Sequence, residues 1–76
     1  MDTNMKINVL SKVRLLRGLT TILKDDIERV QKDAEDYDVV GLQESVHNAS
    51  HTLQWLLDSV TELDYELYLY KRSRRK

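Results

Sequence analysis

Three residues near the middle of the chain have the types and spacing of a metal-binding group. Glu44, His47 and His51 follow one another at intervals of three and four residues, which places them on one face of a helix. Imidazole and carboxylate ligands suit zinc and other transition metals. However, a fourth ligand is missing, and the preceding half of the chain contains no histidine. We therefore expect a solvated helix face here, with no metal site and no cofactor.

The C-terminal segment combines aromatic and basic side chains. The residues concerned are Tyr65, Tyr68, Tyr70, Lys71, Arg72, Arg74, Arg75 and Lys76. Such a combination can grip phosphates and stack on bases, so Tyr68, Tyr70 and the five cations form a candidate nucleic-acid-binding site. The same chemistry suits an anionic lipid surface or a nuclear-import signal. The simplest interpretation is a solubilising helix end, where cations complement the helix dipole.

No group of residues predicts catalysis. The chain has no cysteine, no phosphate-binding loop and no recognisable arrangement of serine, histidine and aspartate. Its carboxylates fall at positions expected to be exposed, where nothing tunes them for acid–base work. We predict that the protein is not an enzyme.

Length and composition favour a single small helical domain. The 76 residues include no proline and two glycines, and a third of them are charged. A chain this short rarely builds a sufficient core alone, and without cysteine it cannot use disulfides, so oligomerisation is expected. No apolar run approaches the ~20 residues of a membrane span, and no secretory signal pattern is present. We expect a soluble cytoplasmic protein.

Charge is unevenly distributed although the net charge is only −1. Five basic residues and no acid lie between Lys6 and Lys24, whereas eight acids and two cations lie between Asp25 and Glu44. An antiparallel hairpin would partly neutralise these blocks, with Arg14 and Arg17 facing the region of Asp58 and Glu62.

Two ladders of mostly apolar residues at alternating spacings of four and three define the architecture. The first contains Val9, Val13, Leu16, Thr20, Leu23, Ile27, Val30, Ala34 and Tyr37, and the second Leu42, Val46, Ala49, Leu53, Leu56, Val60, Leu63, Leu67 and Tyr70. They predict an all-α antiparallel helical hairpin packed along heptad seams. We place helix 1 at about 5–35, the turn at 36–39, helix 2 at about 40–71 and the basic tail at 71–76. Asp36 or Asp38 should cap helix 2, and one continuous helix is the alternative.

Several large apolar residues lie off these ladders, and a two-helix unit cannot cover them all. Leu15, Leu19, Ile22, Trp55 and Leu57 form the candidate partner-binding surface. A homodimeric four-helix bundle would close it most simply, and a helix from a partner protein is the alternative. We expect a small regulator or inhibitor that binds another macromolecule, most readily a protein. Its size suits an accessory protein of a phage or plasmid. Nucleic-acid binding through the tail is the competing function.

Overall fold

The computed structural model describes residues 3–74 and contains two α-helices that pack against each other. Helix α1 spans Thr3–Glu35 and helix α2 spans Val39–Ser73, and a short turn joins them. The hairpin measures 58 × 18 × 12 Å, so it is long and flat. The predicted helical hairpin is confirmed, and the alternative of one continuous helix is wrong.

Gly18 lies inside α1, where glycine is an unfavourable residue. A Cβ atom built at this position would meet nothing within 4 Å. No other segment within residues 3–74 therefore approaches closely at Gly18. The helix tolerates the lower helix propensity of glycine at this position.

The turn closes α1 with a left-handed residue and opens α2 with a capping aspartate. Tyr37 has a φ of 53°, and the amide of Asp38 donates to the carbonyl of Asp33 at 3.0 Å. This hydrogen-bond pattern terminates a helix, although glycine is the usual residue at the left-handed position. Asp38 then accepts a hydrogen bond from the amide of Gly41 at 3.0 Å, so of the two predicted caps, Asp36 and Asp38, the structure shows Asp38.

Gly41 leaves space at the start of α2 for the capping carboxylate, which lies against it. A Cβ atom at residue 41 would lie 2.5 Å from Oδ2 of Asp38. The cap and the glycine therefore form one local unit.

Two polar contacts between the helices give the register. Lys12 forms an ion pair with Glu66, and the hydroxyl of Thr52 donates to Oδ2 of Asp26 at 2.8 Å. In each pair the two residues lie equally far along the chain from Val39. This is the register of an antiparallel hairpin whose two helices are joined by a short turn.

Residues seven positions apart form rows along each helix, and three rows matter here. The central rows are Val9, Leu16, Leu23 and Val30 on α1 and Leu42, Ala49, Leu56, Leu63 and Tyr70 on α2. The inner rows are Lys12, Leu19, Asp26 and Asp33 on α1 and Ser45, Thr52, Ser59 and Glu66 on α2. The outer rows are Val13, Thr20, Ile27 and Ala34 on α1 and Val46, Leu53, Val60 and Leu67 on α2. The helices meet along the central and inner rows, which are buried or partly buried throughout.

The predicted seams were half wrong. They combined the central rows with the outer rows, but all the outer-row residues except Leu67 are exposed, and Tyr37 is 85% exposed. The helices instead meet where α2 has small side chains, since Ser45, Ala49 and Thr52 are its buried residues. Small side chains let helix axes come closer together.

The predicted charge pairing also needs correction. Arg14 and Arg17 are exposed and form no ion pair within residues 3–74. Lys12, an inner-row residue, instead binds Glu66 and lies 3.4 Å from Glu62.

Candidate functional site: an exposed apolar face

One broad side of the hairpin is built by the central and outer rows of both helices. The inner rows face each other, as the contacts of Lys12 with Glu66 and of Asp26 with Thr52 show. The central rows therefore face each other too, on one side of the inner rows. The outer rows flank them on that same side, because each lies next to a central row on its helix.

We call this side the apolar face, and it runs along both helices. It comprises Val9, Val13, Leu16, Thr20, Leu23, Ile27, Val30, Ala34, Leu42, Val46, Ala49, Leu53, Leu56, Val60, Leu63, Leu67 and Tyr70. No residue of this set is charged, and Thr20 and Tyr70 alone have polar side chains. The hydroxyl of Thr20 donates to the carbonyl of Leu16 at 2.7 Å, so it does not depend on water.

The apolar face is long, and its outer-row side chains are accessible. Leu53 is 50% exposed and Ile27 is 49% exposed. The face extends along the 58 Å length of the hairpin. Apolar patches of this size on a single chain mark interaction sites.

The hairpin buries little apolar surface of its own. Leu19 and Ala49 are its buried hydrophobic residues within 3–74. A domain of this size has a small margin of stability at best, and so thin a core cannot supply much of it.

The opposite side, the mixed face, combines apolar, uncharged polar and charged residues. It comprises Lys12, Leu15, Ile22, Asp26, Arg29, Asp33, Asn48, Thr52, Trp55, Ser59, Glu62, Glu66 and Leu69. The hydrogen bond to the Glu66 carboxylate raises the pKa of Lys12 above its ordinary value of 10.5. Within residues 3–74, Oε2 of Glu66 is a buried oxygen without a hydrogen-bond partner. The ion pair that joins the helices on this side therefore leaves one carboxylate oxygen without a hydrogen-bond donor.

The five predicted partner-binding residues do not form one patch. Leu19 is buried between the helices at 3% exposure. Leu15, Ile22 and Trp55 are exposed on the mixed face, where the register places Trp55 on α2 close to the level of Ile22 on α1. Leu57 is also exposed, but it flanks the outer row of α2 on the other side of the hairpin.

The histidine pair is brought together, whereas the third member of the predicted trio is not. The Nε2 atoms of His47 and His51 lie 3.0 Å apart, with the rings edge to face. Within residues 3–74, no group of three or more histidine, cysteine or acidic residues is arranged to hold a metal ion. Glu44 therefore does not complete a site.

The described part of the tail continues α2 to Ser73 and presents its cations to solvent. Tyr68, Lys71, Arg72 and Arg74 are exposed, and the guanidinium of Arg74 lies 5.7 Å from the ring centre of Tyr70. This is the distance of a cation–π contact. Arg75 and Lys76, also part of the predicted nucleic-acid site, lie outside the described residues.

Sequence reasoning missed the apolar face because it assigned the outer rows to the hairpin core. The inner rows carried a signal that was available in the sequence. They border the same central rows as the outer rows do, and they contain small residues and charged residues that could pair between the helices. Three adjacent rows on each helix were therefore candidates for burial, whereas a two-helix seam needs two.

Two general findings complete the description. In the described part of the chain, neither helix has a stretch long and apolar enough to cross a membrane. Comparison of the chain with protein-family models, curated proteins and solved structures finds no match.

Proposed function

We propose that the protein is a small, non-enzymatic binding protein that works as a homodimeric four-helix bundle, with two hairpins packed through their apolar faces. The observation that carries this proposal is a charge-free face along both helices, combined with a core that, among residues 3–74, contains two buried apolar side chains. A second copy offers an identical, equally long apolar surface, which is the requirement of a two-fold interface.

The free energy gained by covering apolar side chains favours dimerisation. Covering a half-exposed leucine or valine contributes about 1 kcal/mol, and the outer rows supply such residues along both helices. These contributions must exceed the cost of association, which is several kcal/mol. Because the hairpin gains little from its own core, folding and self-association are expected to be coupled.

The mixed face remains available after dimerisation, and we assign to it the binding of a protein partner. Trp55 is 59% exposed there, and aromatic residues are common anchors in protein interfaces. Leu15 and Ile22 lie on the same face. Binding without catalysis fits a cytoplasmic regulator or inhibitor, such as an accessory protein of a phage or plasmid.

Affinity capture from the source cells tests the role of the mixed face. The wild-type chain and Trp55→Ser are used in parallel, each with nuclease-treated and mock-treated lysate. We expect one protein to be retained by the wild type in both lysates and lost with Trp55→Ser. Leu57→Ser is the matched control, since residue 57 lies on the other side of the hairpin. Retention of the same protein by Trp55→Ser contradicts the assignment.

The exposed tail supports nucleic-acid binding as a second candidate. Tyr68 and Arg72 lie four residues apart and are both exposed, so one helix face offers a ring and a cation together. A chain truncated after Tyr70 should lose any RNA or DNA binding, and the binding of the full chain should weaken steeply with salt. Unchanged binding by the truncated chain rules this candidate out.

A further inference from the structure

Charge is segregated along the length of the hairpin. Residues 25–53, which surround the turn, contain eight acids and two cations, a net charge of −6. The open end, residues 3–24 and 54–74, contains eight cations and four acids, a net charge of +4. The elongated hairpin therefore has an acidic end and a basic end.

Contacts within the hairpin do not cancel this separation. Among residues 3–74, the ion pairs are those of Lys12 with Glu62 and Glu66, and all three residues belong to the open end. At the turn end, Asp26 accepts from Thr52, Asp38 caps α2 and Glu35 accepts from Gln31. None of these acids has a cation as its partner, so the acidic end keeps its net charge.

We propose that the two hairpins of the dimer lie with their turns at opposite ends of the bundle. This inference rests on the proposed self-association and adds the orientation of the second copy. In this arrangement each acidic turn end lies beside the basic open end of the other copy. The occupant of the apolar face is therefore a second copy of this chain, running the other way.

Side-chain charge is the property that distinguishes the two possible orientations. With the turns at opposite ends or at the same end, a helix of one hairpin can stack on an antiparallel helix of the other. The helix dipoles therefore interact equally favourably in both orientations. The apolar faces are covered equally too, because they run the full length of each hairpin.

The electrostatic interaction between the two copies is repulsive in one orientation and attractive in the other, and it acts over a short range. With the turns at the same end, a charge of −6 meets −6 and a charge of +4 meets +4. With opposite ends, −6 meets +4 twice. Screening weakens the effect beyond about 8 Å at physiological ionic strength, and helices packed 8–10 Å apart place the ends of the two copies at about that distance from each other.

Distances between spin labels on the two copies test the orientation. The chain has no cysteine, so a single introduced cysteine carries the label. Val40→Cys places it at the turn, on a side chain that is 71% exposed and outside the apolar face. Gln54→Cys is the matched control, because residue 54 is exposed and lies near the middle of α2.

We expect the two Val40 labels to lie about 50 Å apart, since each is some 16 residues from the middle of α2 at 1.5 Å per residue. The two Gln54 labels should lie within about 25 Å of each other, given the spacing of packed helices. A short distance for both positions overturns the orientation and leaves the dimer intact. The absence of any coupling between labels at both positions overturns the proposed dimer, and the orientation with it.

Discussion

The two broad faces of this hairpin differ in chemistry although the same two helices build them. The apolar face carries no charge on any residue, whereas the mixed face carries six charged residues, including Lys12, Asp26 and Glu66. The central rows belong to the apolar face and border the mixed face. The contrast shows that the hairpin interface includes the polar inner rows and leaves the apolar outer rows exposed.

This distribution is unusual for a chain that folds alone and natural for half of a larger core. In a two-helix unit the most apolar rows would be expected to face each other. In a four-helix bundle each helix must bury a wider stripe, because it has neighbours on two sides. The exposed outer rows are thus explained if the hairpin is a subunit.

The largest expected effect comes from placing a charge on the apolar face. Leu53→Asp buries an unpaired carboxylate if the face is covered, which costs several kcal/mol. We expect self-association to weaken at least 100-fold, roughly 3 kcal/mol, and helicity to fall with it. Sedimentation equilibrium and circular dichroism measure the two quantities.

Gln54→Asp is the control for this substitution, because it adds the same charge to the neighbouring exposed residue outside the face. It should leave the association constant almost unchanged. Equal self-association of Leu53→Asp and the wild type would show that the apolar face is not an interface.

A smaller effect is expected from the inner row. Thr52→Val removes the hydroxyl that donates to Asp26 at 2.8 Å, and it leaves a partly buried carboxylate oxygen without this donor. The loss should reduce the free energy of unfolding by about 1–2 kcal/mol, measured by urea denaturation. Adding Asp26→Leu should recover most of that loss, because both polar partners are then gone. No recovery in the double variant would mean that this pair does not account for the loss.

Gly18→Ala separates stability from association, because residue 18 lies on neither face. The position is open, with nothing within 4 Å of an added Cβ. Replacing glycine inside a helix should raise the free energy of unfolding by about 1 kcal/mol without altering the symmetry of the dimer. A destabilised variant would indicate a contact at this position in the assembled protein.

The smallest effect concerns pH and the ion pair of the mixed face. The pKa of Lys12 is raised above 10.5 by its hydrogen bond to Glu66. Its contribution to stability is therefore complete below pH 10.5 and is lost as the pH rises through the higher folded-state pKa. The difference in unfolding midpoint between the wild type and Lys12→Met should accordingly shrink in strongly alkaline solution. Arg17→Met, which removes an exposed cation, should show no such change over the same range.

Sequence reasoning recovered the hairpin and the central rows and narrowed the cap of α2 to Asp36 or Asp38, since these depend on local chemistry and on periodicity. It could not recover which neighbouring row completes the hairpin interface. A ladder of spacings three and four defines a stripe on a helix, but the partner decides which edge of the stripe is covered. Leu19 was assigned to the surface for this reason, and it is buried between the helices.

The turn held a second feature that spacing does not reveal. Tyr37 continued the apolar ladder of α1, yet it occupies the left-handed position that ends the helix. Glycine is the usual signal for such a position, and the nearest glycine, Gly41, instead makes room for the capping carboxylate of Asp38. Helix termination here follows from hydrogen bonding at the turn and not from residue type.

The mass of the native protein in solution, followed together with its helicity over a wide concentration range, tests the central claim most directly. The chain has a mass of 9.0 kDa, and we predict a species of twice that mass which loses helicity as it dissociates on dilution. A fully helical particle of 9.0 kDa at every concentration would contradict the proposal that the apolar face is covered by a second copy.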